Sequence, residues 1–538
     1  MAERIFKNEW PLRVLSYIGL ALISLLMLGA VLNIGYGLDN LNLIFCFETD
    51  EARLVERVTA NLANGDLNPR GHYNYGYLYE TVAVGVASIF KFFEFNIDPR
   101  FIGSLLRLES LISCSIVLLL VYHLCIFLGA SSFWGITAGL FLIIFPDYYY
   151  WAQAMHPDIL QSVLIVAAFY FAIKLDGLKA LLISSALCGL SFGTKYSGIF
   201  ALPFLFIPFF AQCFSTTTKY DLSFIKKVTF GLLVLFGIFT LSYLISNSYV
   251  LQFAGEAWGD FNYERNHVAV GDEKLESANG FLWFPILYSQ LQFSVSFWLL
   301  LGFVLSAVGL IWRARSTGTI KEFLADRKAV AWFTLLAYCL VSFIYLFVFV
   351  RMRVPRFTFH FLPIFYAAAF SAIGIFSNRL SPKARISLCI VVLISATSSI
   401  SLAMKYTKFL SHKSLSPLLT SGEFLLKFDP TTRILSDHYS YVPPRFINVE
   451  KTWGVDHEKI SLFNPDLIIL THGTTGRWAW PKEKSSFNDR QFDINTAYGE
   501  KSILVKSFLD QLFSPGSSWS LIYEDSDVAI LERKKVSK

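Results

Sequence analysis

Charged residues are scarce in this chain of 538 residues. Asp, Glu, Lys and Arg together make up 16% of the sequence, whereas hydrophobic residues make up 54% and aromatic residues 17%. The mean hydropathy is +0.50. Because this composition is far more apolar than that of a soluble protein of similar length, it predicts a polytopic membrane protein.

Several motifs of well-known protein classes are also missing. Neither a G-x-G-x-x-G nor a Walker A sequence occurs, which argues against the common nucleotide-binding sites. Six of the seven cysteines lie in or beside apolar runs, so neither a disulfide framework nor a zinc spacing is visible. The net charge of +6 comes largely from short basic loops and does not indicate a nucleic-acid partner. The sequence also lacks an N-x-S/T sequon, which favours a bacterial inner membrane.

Long apolar runs are the main feature that is present. A helix of about 20 residues crosses a bilayer. Runs of this length occur at 12–35, 101–126, 132–147, 158–173, 228–250, 286–311, 329–350, 357–377 and 386–404. The run at 178–213 is too long for one helix, and its break at "SFGTKYSG" predicts two short helices that meet at Lys195. We therefore expect about eleven transmembrane helices, the first of them a retained anchor because no cleavage site follows it.

The basic loops predict the orientation of these helices. The N-terminal "MAERIFKNEWPLR" is basic and is therefore expected on the cytoplasmic side. Alternating the spans from there places residues 36–100, 253–285 and 405–538 outside. We predict a transmembrane domain at 1–404, with 36–100 as its first outer loop, and an extracytoplasmic domain at 405–538.

The predicted C-terminal domain changes from helical to strand-like patterning. The segments "RILSD", "DLIIL" and "WSLIYEDSDVAILER" resemble strands, and the last predicts a hairpin that turns at 525–527. The fold class expected is therefore mainly α, a polytopic membrane protein with a small soluble α/β domain at its C-terminus.

The first outer loop contains an amphipathic pattern. In "DEARLVERVTANLANG", one helical stripe is apolar and the other polar. The apolar stripe consists of Val55, Val58 and Leu62, and the polar one of Asp50, Arg53, Arg57 and Asn61. This helix is predicted to lie on the membrane surface, and the short run 81–93 to form a second interfacial or re-entrant helix. The tyrosines between them are interpreted as an aromatic belt at headgroup depth: Tyr73, Tyr75, Tyr77 and Tyr79.

Two groups of acids lie at predicted outer helix starts. Asp50 and Glu51 begin the amphipathic helix, where helix capping alone could account for them. Asp158 follows His156 and Pro157 at the mouth of a transmembrane helix, and again a first-turn acid is the simpler interpretation. An ionisable group at the rim of a helical bundle is nevertheless a candidate for function.

Several cations are predicted to lie on the outer side against the usual charge bias. Lys195 interrupts a long apolar stretch, although an ordinary loop lysine is an equal alternative. Arg107 lies near the outer end of its helix, and "RMRVPRF" supplies Arg351, Arg353 and Arg356. The guanidinium fork suits phosphate. Together with the acids, these cations indicate transfer chemistry on a phosphorylated lipid.

Five motifs in order resemble those of the GT-C membrane glycosyltransferases, in particular family 39, which holds the protein O-mannosyltransferases and the aminoarabinose transferases of lipid A. The motifs are "TDEARLVERVTANLANGDLNP", "LLRLES", "HPDIL", "GLSFGTKYSGIFALP" and "RFTFHFLP", and the likeness covers roughly residues 10–377. The lipid A enzymes carry "KPPL" where this chain has "HYNYGYLYE", and the "W-W-D" motif of oligosaccharyltransferases is absent.

The resemblance implies a polyprenyl-phosphate sugar donor and an inverting transfer to an extracytoplasmic lipid, glycan or protein. It implies Asp50 as the base, with Glu51 beside it, and Asp158 as a supporting acid. The donor phosphate is expected to contact Lys195 and Arg356, with Arg53, Arg107 and Arg351 as further candidates. Two more candidates from the same motifs are His156 and Tyr196, while a divalent metal is left open.

Two other functions remain compatible with these residues. A glycan-lipid ligase or polymerase-like transferase would use the same donor logic with an assembled saccharide. A transporter or lipid flippase would also place charges within the membrane, but usually with inverted repeats and acids near the bilayer centre. The predicted charges lie at one face only, which favours the enzyme.

Overall fold

The computed structural model describes most of the chain. Its described residues are 2–38, 49–69, 73, 75–216, 222–270, 283–350, 355–412, 415–452, 455–471, 507–525 and 528–534. They form a mainly helical protein with one small sheet near the C-terminus. The predicted fold class, a mainly α polytopic membrane protein with a C-terminal α/β domain, is confirmed.

Seven helices of the described ranges contain stretches long and apolar enough to cross a membrane. These helices are Ala2–Leu32, Pro99–Leu128, Leu202–Thr216 together with the 3-10 turn that precedes it, Leu222–Ser246, Trp283–Ser316, Arg327–Phe349 and Pro382–His412. Three shorter apolar helices, Ser132–Ile143, Gly177–Phe192 and Leu362–Ser377, and the helix Asp158–Lys174 account for the remaining predicted spans. Some predicted spans are therefore shorter as helices than as apolar runs, because the runs continue through the turns between helices.

The predicted break in the run 178–213 is present. The helix Gly177–Phe192 ends at Gly193, and the 3-10 turn Tyr196–Ala201 leads into the helix Leu202–Thr216. Lys195, between them, has extended backbone angles of φ −157° and ψ 135°. Further helices are Thr49–Asn64, Leu78–Phe92, Pro146–Trp151 and Ala254–Val270, and 3-10 turns lie at Ser248–Leu251 and Pro355–Thr358.

The C-terminal region folds around a five-stranded sheet. Its strands are β1 (Ile434–Asp437), β2 (Val449–Thr452), β3 (Leu467–Thr471), β4 (Trp519–Glu524) and β5 (Val528–Arg533), in the order β2-β1-β3-β5-β4. β1 pairs in parallel with β2 and β3, whereas β5 is antiparallel to β3 and β4. The predicted hairpin therefore exists as β4 and β5. Three helices, Ile320–Ala325, Leu415–Leu425 and His457–Phe463, complete the elements.

The chain forms two compact units. The first comprises residues 1–35, 57–269 and 279–406, and the second residues 36–56, 270–278 and 407–538. The helix Thr49–Asn64 therefore belongs to the second unit up to Glu56 and to the first from Arg57 onward. The described cysteines are buried free thiols: Cys114, Cys125, Cys188, Cys213, Cys339 and Cys389.

The aromatic-belt interpretation of the loop tyrosines is wrong for three of them. Tyr73, Tyr77 and Tyr79 are 1–4% exposed, so they pack inside the protein. The Tyr79 hydroxyl donates to the Leu106 carbonyl oxygen at 2.6 Å. A buried Tyr needs such a partner for its hydroxyl. Because these partners lie far away in the sequence, the local pattern of tyrosines and polar residues could not show that the tyrosines are buried.

The predicted polar stripe of the amphipathic helix needs a similar correction. Val55 and Val58 are buried as expected, but Asn61 is also fully buried. Its amide donates to the Tyr77 hydroxyl, and Arg57 forms a two-bond ion pair with the buried Glu80. This side of the helix therefore faces protein, because buried polar side chains are tolerated where they find partners.

Candidate functional site

Asp158 is the centre of a buried cluster in the first unit. It is the first residue of the helix Asp158–Lys174 and is 2% exposed. Its Oδ1 accepts a hydrogen bond from the Lys195 ammonium at 2.5 Å. Its Oδ2 lies 2.8 Å from His156 Nδ1 and 4.0 Å from Arg356 Nε. One carboxylate thus holds two cations and an imidazole in fixed positions.

The Lys195 side of the cluster depends on the chain break found in the sequence. The backbone amide of Lys195 donates to the Ser191 carbonyl oxygen, which closes the last turn of the preceding helix. The side-chain amide of Gln161, one turn after Asp158, donates to the Lys195 carbonyl oxygen at 2.8 Å. The break therefore turns Lys195 out of helical geometry and towards Asp158.

Arg356 is held by aromatic rings and by its own turn. Its guanidinium lies 4.7 Å from the centre of the Trp151 ring, a cation–π distance, and its Nη1 is 3.5 Å from His156 Nε2. Trp151 also packs edge-on against the His156 ring. The Ser162 hydroxyl donates to the Phe359 carbonyl oxygen at 2.7 Å and so ties the Arg356 turn to the Asp158 helix.

His156 lies between these charges in the turn before the helix. Burial lowers its pKa below the ordinary value, and the charges of Arg356 and Lys195 act in the same direction, whereas Asp158 raises it. Desolvation is the largest of these effects because the ring is 1% exposed. The imidazole is therefore a neutral partner of the cluster near neutral pH rather than a third cation.

A cavity of about 520 Å³ opens from this cluster. Its polar end is lined by Asp158, Lys195 and Arg356. Its other walls are mostly apolar and aromatic, with Ile199, Phe200, Phe261, Tyr345, Leu346, Phe349 and Val350. Glu264 and Arg265 also line it. The cavity can thus hold a molecule that combines an anionic group with a long apolar part.

A network of backbone and amide contacts holds the Lys195 turn against residues 76–78. The Leu78 amide donates to the Gly193 carbonyl oxygen at 3.0 Å, and the Asn247 side-chain amide donates to the same oxygen at 3.1 Å. Asn247 Oδ1 in turn accepts from the Tyr77 amide at 2.7 Å. At Gly76 the two backbones come so close that a Cβ would overlap the Gly193 carbonyl.

This close approach yields a prediction for Gly76→Ala. Because overpacking forces backbone shifts, we expect the free energy of unfolding to fall by about 1–3 kcal/mol. The shift would displace Gly193 and the adjoining Lys195, so binding of a phosphate ligand should also weaken. Gly85→Ala is the matched control. Gly85 lies inside the helix Leu78–Phe92, and apart from the backbone of this helix a Cβ added there would have no atom within 4 Å. Thermal unfolding in detergent should separate the two variants; equal midpoints would contradict the close approach.

The predicted acids of the first outer loop lie in the second unit. Asp50 and Glu51 are in the first turn of the helix Thr49–Asn64. The Glu51 side chain is 5% exposed, whereas the Asp50 side chain lies outside the described residues. Arg53, one turn further on, is half-buried. The role of Asp50 as a base stays a prediction.

The other predicted candidates are placed as follows. Arg107 Nη1 donates to the Ile34 carbonyl oxygen at 3.0 Å. Tyr196 lines the cavity, and its hydroxyl donates to the Tyr73 carbonyl oxygen at 2.5 Å. Arg351 and Arg353 lie outside the described residues. Across the described ranges, no group of three or more His, Cys, Asp or Glu side chains could hold a metal ion.

Sequence reasoning missed four residues that shape the polar end of the cavity. The Lys195 ammonium lies 5.5 Å from the centre of the Tyr75 ring and 5.1 Å from that of Phe357. Trp151 supports Arg356, and Gln161 holds the Lys195 turn. Only Gln161 could have been recognised from the sequence, because it is a polar side chain one turn after Asp158 on an apolar helix. Nothing in the sequence distinguishes the three aromatic residues from the other aromatic residues of the chain.

Comparison with known proteins gives likenesses in structure. No protein-family model matches the sequence, and no curated protein matches it. The chain is similar to ArnT from Cupriavidus metallidurans bound to undecaprenyl phosphate, at 12% identity and a TM-score of 0.49, over 96% of this chain and 98% of that one. It is also similar to the oligosaccharyltransferase AglB from Archaeoglobus fulgidus in complex with an inhibitory peptide and a dolichol-phosphate. Here the identity is 13% and the TM-score 0.49, over 85% of this chain and 69% of that one.

With identities of 12% and 13% and TM-scores of 0.49, neither likeness carries an argument about this chain. The function proposed next is derived from the site residues and the cavity.

Proposed function

We propose that this chain is a membrane glycosyltransferase that moves a sugar from a polyprenyl-phosphate donor to an acceptor outside a bacterial inner membrane. The cavity beside Asp158 carries this proposal. Lys195 and Arg356 lie at its polar end, where they would meet a phosphate, and its aromatic and aliphatic walls would accommodate a prenyl chain. The acceptor would be a lipid, a glycan or a protein.

The reaction is an inverting single displacement. Asp50 accepts the proton of an acceptor hydroxyl or amine, and that oxygen or nitrogen forms a bond to the anomeric carbon of the sugar. The bond between the anomeric carbon and the phosphate oxygen breaks, and polyprenyl phosphate leaves with the electron pair. Negative charge grows on the leaving phosphate, so Lys195 and Arg356 stabilise the transition state more than the ground state.

Asp158 supports this reaction without touching the reacting atoms. Its carboxylate holds the Lys195 ammonium at 2.5 Å and lies within 4.0 Å of the Arg356 guanidinium. Because the two long side chains are already positioned, less conformational entropy is lost when a phosphate binds. Asp158 is thus a positioning residue for the phosphate site.

Binding of undecaprenyl phosphate to the full chain in detergent tests the donor site. Lys195→Ala and Arg356→Ala should each raise the Kd at least about tenfold, since a charge-assisted hydrogen bond is worth about 1.5–3 kcal/mol. Native mass spectrometry at graded lipid concentrations measures the bound fraction. Arg379→Ala is the matched control, because this arginine also lies over a ring, that of Trp312 at 4.4 Å, but not at the cavity.

Two results would contradict the proposal. An unchanged Kd in both cavity variants would remove the phosphate site. In vesicles that contain a labelled polyprenyl-phosphate sugar, movement of the intact lipid between leaflets without a transfer product would identify a flippase instead. We expect the wild-type protein to label the acceptor covalently and the Arg356→Ala variant to give no labelled acceptor.

A further inference from the structure

The helix Ala254–Val270 forms one wall of the cavity that opens beside Asp158. Three of its residues, Phe261, Glu264 and Arg265, line this cavity. Glu264 and Arg265 follow Phe261 by three and four positions, and residues at these spacings are neighbours on one face of a helix. The helix therefore presents an aromatic ring and two opposite charges to the cavity.

Contacts with the Lys195 turn fix this helix in place. The Asp260 carboxylate accepts a hydrogen bond from the Tyr73 backbone amide at 2.8 Å. The Tyr73 carbonyl oxygen accepts one from the Tyr196 hydroxyl, and the Tyr196 ring packs edge-on against Phe261, with the ring centroids 5.1 Å apart. Tyr196 follows Lys195 directly in the chain. The charged wall is therefore tied to the turn that carries one of the two cations of the phosphate cluster.

The apolar walls of the cavity belong to other elements. They lie on the 3-10 turn Tyr196–Ala201 and the helix Arg327–Phe349 and include Ile199, Phe200, Leu346 and Phe349. These surfaces suit a prenyl chain. A carboxylate and a guanidinium do not, because a charge buried against hydrocarbon without a polar partner costs free energy. The wall with Glu264 and Arg265 therefore suits a polar part of the ligand.

The sugar is the polar part of the proposed donor that remains once the phosphate is placed. It is bonded directly to the phosphate and so lies next to the Asp158 cluster. A sugar hydroxyl both donates and accepts hydrogen bonds, whereas the Glu264 carboxylate only accepts and the Arg265 guanidinium only donates. The two adjacent side chains together meet both requirements of a hydroxyl, which would otherwise be left unpaired in the cavity.

We infer that Glu264 and Arg265 select the sugar of the donor, and that this sugar is uncharged. The inference rests on the function proposed for the chain. A sugar with a carboxylate would be repelled by Glu264, and a sugar with an ammonium group would be repelled by Arg265. An uncharged sugar is repelled by neither and can use both side chains through its hydroxyl groups.

Binding of three lipids that differ only in the orientation of sugar hydroxyls tests this selection. Glucosyl, galactosyl and mannosyl undecaprenyl phosphate share the phosphate and the prenyl chain, so differences between their Kd values report the sugar alone. With the full-length wild type in detergent, we expect the best-bound and worst-bound lipids to differ at least about tenfold in Kd, because a misplaced hydroxyl leaves a polar partner unpaired. Glu264→Ala and Arg265→Ala should each reduce this ratio to about threefold or less. Native mass spectrometry measures the bound fractions.

Two controls show whether the effect belongs to the sugar. Glu256→Ala removes a carboxylate from the first turn of the same helix, away from the residues that line the cavity, and should keep the wild-type ratio. Undecaprenyl phosphate carries no sugar and should bind to Glu264→Ala and Arg265→Ala with a Kd within about threefold of the wild-type value. A wild-type ratio near one would overturn the inference, and so would a ratio that both cavity variants retain.

Two charged sugars test the class of the ligand. Undecaprenyl phosphate esters of glucuronic acid and glucosamine should each bind to the wild type at least about tenfold more weakly than the best-bound uncharged hexose, because each meets a like charge. Glu264→Ala should narrow the difference for glucuronic acid, and Arg265→Ala that for glucosamine. Tighter binding of either charged lipid than of all three uncharged ones would overturn the assignment of an uncharged sugar.

Undecaprenol separates a failure of this inference from a failure of the proposed function. Because it lacks the phosphate, it should bind at least about tenfold more weakly than the three hexosyl lipids. If undecaprenol bound as tightly as they do, the phosphate site and the proposed function would both fail. If the phosphate were required but the sugar ratio stayed the same in Glu264→Ala and Arg265→Ala, only the sugar assignment would fail.

Discussion

Asp50→Asn is expected to lower the rate of sugar transfer at least about a hundredfold, the scale on which a lost general base is felt. Asn keeps the shape of Asp but cannot accept a proton. The helix Thr49–Asn64 should still form, because an acid in its first turn contributes only about 0.3–1 kcal/mol through the helix dipole. Transfer from a polyprenyl-phosphate sugar in membranes, at matched protein levels, measures the effect.

Two comparisons separate catalysis from folding in this experiment. Glu51→Gln, at the neighbouring position of the same first turn, should reduce transfer less than Asp50→Asn does. Undecaprenyl phosphate should bind to Asp50→Asn as it does to the wild type, because the phosphate contacts are assigned to Lys195 and Arg356. Near wild-type turnover in Asp50→Asn would contradict the role of Asp50 as general base and would leave helix capping as the explanation of Asp50 and Glu51.

Asp158→Ala should destabilise the protein by about 3–5 kcal/mol, because it leaves a buried ammonium without its counter-charge. The Asp158 side chain is 2% exposed and that of Lys195 11%. Asp176→Ala is the matched control: its partner Arg327 lies 3.2 Å away, but the two side chains are 66% and 42% exposed. Such a solvent-exposed pair contributes only about 0–1 kcal/mol. Thermal unfolding of the two variants in the same detergent measures the difference.

A second replacement shows whether the uncompensated charge is the cause. Lys195→Met combined with Asp158→Ala removes the buried cation and should recover part of the lost stability. If the double variant were less stable than Asp158→Ala alone, packing of the aspartate rather than its charge would explain the loss. The double variant should still bind undecaprenyl phosphate at least about tenfold more weakly than the wild type, since it lacks one of the proposed phosphate ligands.

The sequence indicated individual residues of the site, but it did not indicate which of them contact each other. Lys195 was recognisable because it interrupts a long apolar run, and the chain breaks there as predicted. Asp158 was recognisable as an acid at the start of an apolar helix. Their contact was not predictable, because the two residues are 37 positions apart and His156 and Arg356 are 200 apart. Neither spacing corresponds to a helical or strand period.

The misinterpreted tyrosines illustrate the same difference. Tyr77 and Tyr79 lie in a tyrosine-rich segment of the kind that forms an aromatic belt. The local sequence does not distinguish a tyrosine at headgroup depth from one inside a helical bundle. The two tyrosines are fixed by hydrogen bonds to distant residues: the Tyr79 hydroxyl donates to the Leu106 carbonyl oxygen, and the Tyr77 backbone amide donates to the Asn247 side chain. Asn61 was misplaced for the same reason, since its partner is the Tyr77 hydroxyl.

The sequence by itself determined that this chain is a polytopic membrane protein with a small C-terminal sheet. Apolar runs and strand alternation are local properties, and the demand that a spanning helix be apolar acts on each segment separately. The tertiary structure decided that Asp158 holds Lys195 close to Arg356 at the polar end of a cavity. This arrangement depends on distances of a few ångströms between distant segments, and such distances are set by how helices and strands pack.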